Sequence, residues 1–362
     1  MAKIKNIEFS NFRNFNNFKI SFDDKLNILF GDNGCGKTNI LEGISLISKG
    51  RGIRNSSIDN LIKKGKDKFL IKNDLEIKKN NFDIQIFTES KNDKFKKIIK
   101  INDDVSKDIL DFLNKSISYL VFLPEMERLF QASPSYRRNF IDRLIFSSKN
   151  DYNHLVNKYK KTLLERFKIL QANNFDEDWL NHIENKISFL GLEINHLRIS
   201  QLDFLNSELR ALKKDHNFQY DVVLKIKDSS LESGITHEKY LSILQNSRLY
   251  DKQYGGTKIG PHKSDIISII NNDFEASLLS TGQQKAVVLM ILLAQCNLLV
   301  NKKNIHPILL FDEIGSHLDK QNRQILLDMI NRFDIQFFLT GTEKNLFSFV
   351  STNAQFYNIT DV

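Results

Sequence analysis

Residues Leu29 to Ile44 read LFGDNGCGKTNILEGI, and Gly31, Gly34 and Gly36 stand just ahead of Lys37 and Thr38. The spacing is G-x-x-x-x-G-K-[ST]. Backbone without side chains lets successive N–H groups turn inward around a phosphate chain, and the helix that follows adds a partial positive charge. Lys37 is placed to reach β- and γ-phosphates, and Thr38 to offer its hydroxyl to Mg²⁺. Asp32, Asn33, Cys35 and Asn39 complete the stretch that would wrap the nucleotide. A second set is Asp312 and Glu313, directly after the apolar run Ile308–Phe311. A buried strand would deliver both carboxylates to its C-terminal end, where ligands bind in open α/β sheets. There Asp312 would hold Mg²⁺, directly or through water, and Glu313 would orient or deprotonate an attacking water. A third set is Ser280, Gly282 and Gln283, ahead of another apolar helix-like stretch. A Ser-x-Gly turn at a helix start is an anion site, and it is equally a plain N-cap. Since the chain already holds one phosphate cradle, the anion reading implies a trans arrangement: the Ser280 turn of one protomer closes over the γ-phosphate held by another.

These residues need elements to position them. The first 30 residues read as strands, with Ile4, Phe9, Ile20 and Phe22 in short alternating runs and KLNILF as a buried strand. Ile40, Leu41, Ile44 and Ile47 have helical spacing after the glycine loop. KFLIKNDLEI, FDIQIF and KFKKIIKI read as an antiparallel patch, and SISYLVFLP as a further buried strand ending at Pro124. From about Pro134 to Asp215 the apolar residues recur at three and four, with a turn at QANNFDED and a phase slip near Ile199. The spacing predicts a hairpin of helical arms of ~45 Å at most. Beyond Asp215, FQYDVVLKI is a strand and SDIISIINNDFEASLLS two strands around an Asn-Asn-Asp turn. Gln283–Leu299 is an apolar helix, HPILLFDE a buried strand, DKQNRQILLDMINRF a helix and IQFFLTGT a last buried strand. The expected fold is α/β: a mixed sheet with helices plus an antiparallel β patch, interrupted by an inserted α-helical lobe. The expected segments are 1–133, 134–216 and 217–362.

Composition narrows the class. The formal charge is +8, from 52 Lys and Arg against 44 Asp and Glu, which draws a protein toward polyanions. The lysine runs Lys63–Lys68 and Lys94–Lys97 are candidate phosphate contacts, although such runs are more often simply solvated. Cys35 and Cys296 form no metal-ligand spacing or disulfide framework. MAKIKNIEFSNF has no signal-peptide core, and no apolar run reaches the ~18 residues that span a bilayer. The expectation is a reduced, soluble, cytoplasmic protein without a membrane partner. Arg137 and Arg138 begin a helix after Pro134, where they meet DNA or phosphate or pair with Asp142. His262, in GPHKSD, has no role that the residues alone assign.

LSTGQ resembles the signature L-S-G-G-Q of the ABC-type ATPases, with Thr281 replacing the first glycine. The phosphate loop at Gly31–Thr38, the acids Asp312 and Glu313, and SHLD at Ser316–Asp319 as a D-loop complete that set. NFRNF, LPEMERLFQASPSYRRNFID and IGPHKSDI further resemble motifs of the RecF family of bacterial recombination ATPases. The resemblance implies an ABC-type P-loop ATPase head that uses ATP and Mg²⁺, with Arg13 reaching the nucleotide phosphates. It implies a homodimer formed on ATP that binds single-stranded, gapped or duplex DNA, with weak DNA-stimulated hydrolysis releasing it. It also implies work with RecR, RecO and RecA in repair, replication and the SOS response. Asp319, Gly282 and Gln283 would join the nucleotide site by the same resemblance. The alternatives are a structural chromosome ATPase, against which the short helical arms argue, and a transporter subunit. Thr340 in place of a switch histidine, and Pro124-Glu125 in place of a Q-loop glutamine, argue against the transporter.

Overall fold

The structure is a computed structural model that describes residues 2–48, 50–91, 94–172, 176–216, 218–227, 235–315, 319–350 and 354–360. In chain order the first stretch contributes β1 (Ala2–Phe12), β2 (Phe15–Ser21), β3 (Leu26–Phe30), α1 (Lys37–Ser45), β4 (Leu70–Ile77), β5 (Asn80–Lys91), β6 (Lys94–Ile101), α2 (Lys107–Ser116) and β7 (Tyr119–Phe122). The middle holds α3 (Pro134–Ser148), α4 (Tyr152–Gln171), α5 (Glu177–His216), β8 (Val222–Lys227), α6 (His237–Asn246), α7 (Arg248–Tyr254), β9 (Asp265–Ile270), β10 (Phe274–Glu275) and α8 (Thr281–Asn297). The last stretch adds β11 (Ile308–Phe311), α9 (Lys320–Arg332), β12 (Phe337–Gly341) and β13 (Gln355–Asn358). The chain divides into two compact units, Met1–Glu127 with Gln295–Val362, and Arg128–Ala294.

The first unit holds two sheets. One is antiparallel, in the order β2-β1-β4-β5-β6. In β1 the buried residues are Ala2 and Ile4, then Ile7, Phe9 and Phe12. Strict alternation would turn Ile7 to the wrong face. The pairing with β4 shifts register between Ile4 and Asn6, and that extra residue restores the apolar phase. Phe9 stacks on Phe12 and Phe15 at 5.3 and 5.1 Å between centroids. Helix α1 lies against this cluster through Gly43, where a Cβ would fall 2.2 Å from Phe9 Cε1.

The other sheet is parallel, in the order β13-β3-β12-β11-β7. Its central strands β11 and β12 are buried at every residue, as expected where both faces are covered. Parallel strands put all their C-terminal ends on one edge, so the segments after β3, β11 and β12 meet there. Gln336, fully buried, accepts from Ile4 N at 2.8 Å and donates to Ile4 O and Asp23 O, which ties the start of β12 to β1.

In the second unit, α4 is followed by α5, whose 40 residues run ~60 Å, longer than the ~45 Å expected of either arm. The central residues of the expected turn, 173–175, lie outside the described residues. Helix α5 does not break at the phase slip. Its buried stripe is carried through that point by Asn195, Arg198 and Gln201, polar residues that an apolar count passes over. Arg198 is buried because Asp142 of α3 accepts two of its hydrogen bonds, at 2.8 and 2.9 Å. The antiparallel strands β8, β9 and β10 follow. Asn271 and Asn272 turn the β9–β10 hairpin with φ of 52° and 57°. Thr281–Lys302 is long enough, and on average apolar enough, to cross a membrane, although polar residues interrupt its apolar run, and 83% of its most apolar window is buried inside the protein. An all-round apolar helix of that kind is a core helix as readily as a span.

Candidate nucleotide site

The loop after β3 is built as its glycines demand. Gly31 has φ 147°, and a Cβ there would meet Ile359 O at 2.3 Å. Gly36 has φ 112°, and its Cβ would meet Phe15 and Asn14 within 3 Å. No side chain fits either place. Lys37, nearly buried, donates from Nζ to Gly31 O at 2.6 Å and Asp32 O at 2.7 Å, so its ammonium stands inside the curl. Cys35 is buried with its Sγ 3.7 Å from that ammonium, and Asp32, Asn33 and Gly34 form the exposed rim. Asn39 Nδ2 donates to Asn14 Oδ1 at 2.7 Å, while Asn14 Nδ2 donates to Cys35 O at 3.2 Å, bracing the loop from the β1–β2 turn.

Thr38 Oγ1 donates to Asp312 Oδ1 at 2.9 Å, which unites the loop with the acid at the end of β11. The Asp312 carboxyl is 4% exposed, and burial raises its pKa, the hydroxyls of Thr38 and Thr340 partly offsetting that. Thr340 Oγ1, at the end of β12, donates to the same Oδ1 at 2.9 Å and accepts from Glu313 N at 2.7 Å. Glu313 itself is exposed, with φ 49°, a left-handed backbone rare outside glycine and asparagine. The oxygen donors Thr38 and Asp312 suit a hard cation such as Mg²⁺. No group of three or more His, Cys, Asp or Glu forms a metal cage among the described residues, as fits an ion that draws its other ligands from phosphate and water. A cavity of about 440 Å³ adjoins the loop, lined by Gly31, Asp32, Cys35, Glu343, Lys344 and Asn358 among others.

Arg13 differs from expectation. Its guanidinium donates to both oxygens of Glu42 at 2.8 Å and to Ser56 Oγ at 2.6 Å. Glu42 is fully buried on α1, and a buried carboxylate needs such a counter-ion, so Arg13 braces the helix instead of pointing at the loop. Arg54, which spacing did not single out, is nearer the chemistry: half exposed, it donates to Asn39 Oδ1 at 3.0 Å and its charge acts on Asp312. The lysine runs divide in the same way. Lys63 donates to Asn14 O, and Lys97 donates to Leu46 O and Ser48 O at 3.0 and 2.9 Å, just past the end of α1. Burial brings the Lys97 ammonium down to about 8.

The remaining predicted residues cap helices. Ser280 accepts from Gln283 N at 3.4 Å while Ser280 N donates to Gln283 Oε1 at 2.9 Å, a reciprocal capping box at the start of α8. Gly282 lies within that first turn. Asp319 accepts from Asn322 N at 2.7 Å at the start of α9, and Ser316–Leu318 of the expected D-loop lie outside the described residues.

A parallel sheet whose edge unites a phosphate loop with a buried aspartate, beside an antiparallel sheet, defines an ABC-type P-loop ATPase head. The sequence profile of the RecF/RecN/SMC N terminal domain matches residues 3–361. The DNA replication and repair protein RecF of Rickettsia conorii is 33% identical over 360 residues, covering 97% of this chain and 98% of that protein. The chain belongs to the RecF family of DNA replication and repair proteins. RecF of Rickettsia prowazekii is also 33% identical, over 94% of both chains. Among solved structures, the recombination mediator protein RecF-ATPrS of the RecFOR pathway matches with a TM-score of 0.83 and 26% identity, covering 99% of this chain and 96% of that one. The Smc head domain of Pyrococcus furiosus shares the fold, with a TM-score of 0.56 and 17% identity over 100% of this chain and 94% of that one.

Proposed function

We propose that this chain is an ATP-dependent DNA-binding protein of recombinational repair. It dimerises on ATP, binds DNA at gaps and helps load RecA, acting with RecR and RecO in the cytoplasm. The observation that carries this reading is the Thr38–Asp312 contact at 2.9 Å beside the Lys37 ammonium and the exposed Glu313. Backbone N–H groups of Gly31–Thr38 wrap the phosphates, and Lys37 turns from its loop carbonyls to the β- and γ-oxygens. Thr38 and Asp312 would hold Mg²⁺, which would supply positive charge to offset that of the phosphate oxygens. Glu313 orients a water in line with the γ-phosphorus and takes its proton; the new P–O bond forms as the β–γ bridge oxygen leaves with ADP. Ser280, Gly282, Gln283 and Asp319 of a second copy complete the site over the γ-phosphate. Arg13 serves through Glu42, keeping α1 and hence Thr38 in place. Hydrolysis is weak without DNA and rises with it, acting as a timer for release.

The test is sedimentation of a Glu313→Gln variant with ATP and with ADP, with and without gapped DNA. Dimers with ATP alone, tightened by DNA, are expected. A monomer under every condition overturns the reading.

A further inference from the structure

The second unit contains a pocket that brings together two motifs the nucleotide site does not use. Arg138, Asn139 and Asp142 of α3, Lys160 of α4, Arg198 of α5 and His262 line a cavity of about 70 Å³. The cavity has room for a small group such as an oxyanion.

The charges in its wall are not balanced. Arg198 and Asp142 answer each other in a two-point pair, and Tyr152 OH donates to the same Asp142 at 2.6 Å. Arg198 also donates to Pro261 O, so this guanidinium is fully engaged. His262 is neutral: Nδ1 accepts from Tyr159 OH at 2.9 Å, Nε2 donates to Thr257 O at 2.9 Å, and burial lowers its pKa to about 4. Two cations remain. Arg138 donates from Nη1 to Ser264 O at 2.6 Å and, among the described residues, forms no ion pair. Lys160 is exposed at the mouth. Burial, with the charges of Arg198 and Arg137 close by, depresses the pKa of Arg138, and the carboxylates of Asp142 and Asp265, each engaged by another arginine, offset this only in part.

We propose that this pocket is a second anion site, separate from the nucleotide loop, that takes a single phosphate group. Arg138 supplies directed N–H donors, Lys160 a mobile charge and Asn139 an amide donor. The phosphate is either a phosphodiester of the DNA backbone, which rests on the DNA-binding reading above, or free inorganic phosphate, which does not.

The experiment uses the full chain with Mg²⁺ and ADP present, so that the Gly31–Thr38 loop is occupied. Asn139→Asp is nearly isosteric and exposed, and Lys160→Gln changes only a surface charge, so neither threatens folding. Arg138→Gln is the third variant. Inorganic phosphate is followed by ³¹P line broadening against chloride at matched ionic strength, and DNA affinity is measured across a salt series. Asn139→Asp and Arg138→Gln are expected to abolish the broadening or weaken DNA equally across sequences. In the DNA case the log–log salt slope falls by about one contact, ~0.9 for duplex or ~0.7 for a single strand. A loss confined to the ³¹P arm assigns free phosphate, and a lower salt slope assigns the DNA backbone. Unchanged broadening and unchanged slope in both variants overturn the proposal. If the wild type binds no DNA, the function proposed above fails, and the ³¹P arm alone decides this pocket.

Discussion

Thr340 holds the two acids of the site in register. Its hydroxyl donates to Asp312 and accepts from the backbone of Glu313, so one oxygen sets both the proposed metal ligand and the proposed water-orienting residue. Thr340→Val keeps the shape and removes both bonds. It should cost about 1–3 kcal/mol through the unsatisfied buried groups, and lower turnover while ATP still binds; Thr340→Ser should restore turnover. Separate measurements of kcat and nucleotide Kd check this. Asp312 allows a pH prediction. Its carboxyl is raised in the folded state, so above the unfolded value of 3.8 the native protein holds the extra proton and loses stability as pH climbs through the shifted range. Asp312→Asn should therefore raise the neutral-pH melting temperature of the nucleotide-free protein and abolish the further rise that Mg²⁺ and ATP give. Thermal melts of both proteins, with and without Mg²⁺-ATP, read both effects. The meeting of Lys37, Thr38, Asp312 and Glu313 at one edge of the parallel sheet was legible because each sits in a short motif at the end of a buried strand. Thr340 and Arg54 were not, since their roles depend on strands and loops that meet only in three dimensions.

At the scale of elements, α1 is held at both its sides and its end. Gly43 lets Phe9 approach, and Gly43→Ala sets two effects against each other. Alanine gains ~1 kcal/mol of helix propensity, while a Cβ 2.2 Å from the ring costs ~1–3 kcal/mol by overpacking. Net destabilisation is expected, and denaturant titration measures it. Lys97 holds the end of α1. Its ammonium is depressed to about 8 from 10.5, so between those values the unfolded chain binds more protons and stability rises with pH. Lys97→Met should remove that part of the slope in melts taken from pH 7.5 to 10.5. Neither contact was visible from pattern, which marked Lys97 as one of a solvated run. The same blindness met α5: its apolar phase slips where Arg198 occupies the core, and only the distant Asp142 explains why an arginine can lie there. The β9–β10 hairpin was legible because two asparagines specify their own turn.

For the whole molecule, the proposal is that each copy lacks something its partner supplies. Mixing two inactive variants tests it. Lys37→Ala carries an intact Ser280 turn, and Ser280→Arg carries an intact loop. If the sites are shared between copies, the mixture regains ATPase activity, because one site of each mixed pair is whole. If each chain encloses its own nucleotide, mixing restores nothing. The α/β class and the inserted helical stretch were legible from alternating runs, but β13 was not, since nothing in QFYN announces a strand that completes an edge. The sheet order has a further consequence. β3 pairs with β12 and β13, both of which follow the entire Arg128–Ala294 unit. At ~5–20 residues per second, a ribosome leaves the apolar Leu26–Phe30 segment waiting tens of seconds for its neighbours. A chain stalled before its final quarter thus has an orphaned core strand and a phosphate loop without Asp312 or Thr340. Chaperone protection during translation, more than ligand rescue, should govern how much protein a cell recovers.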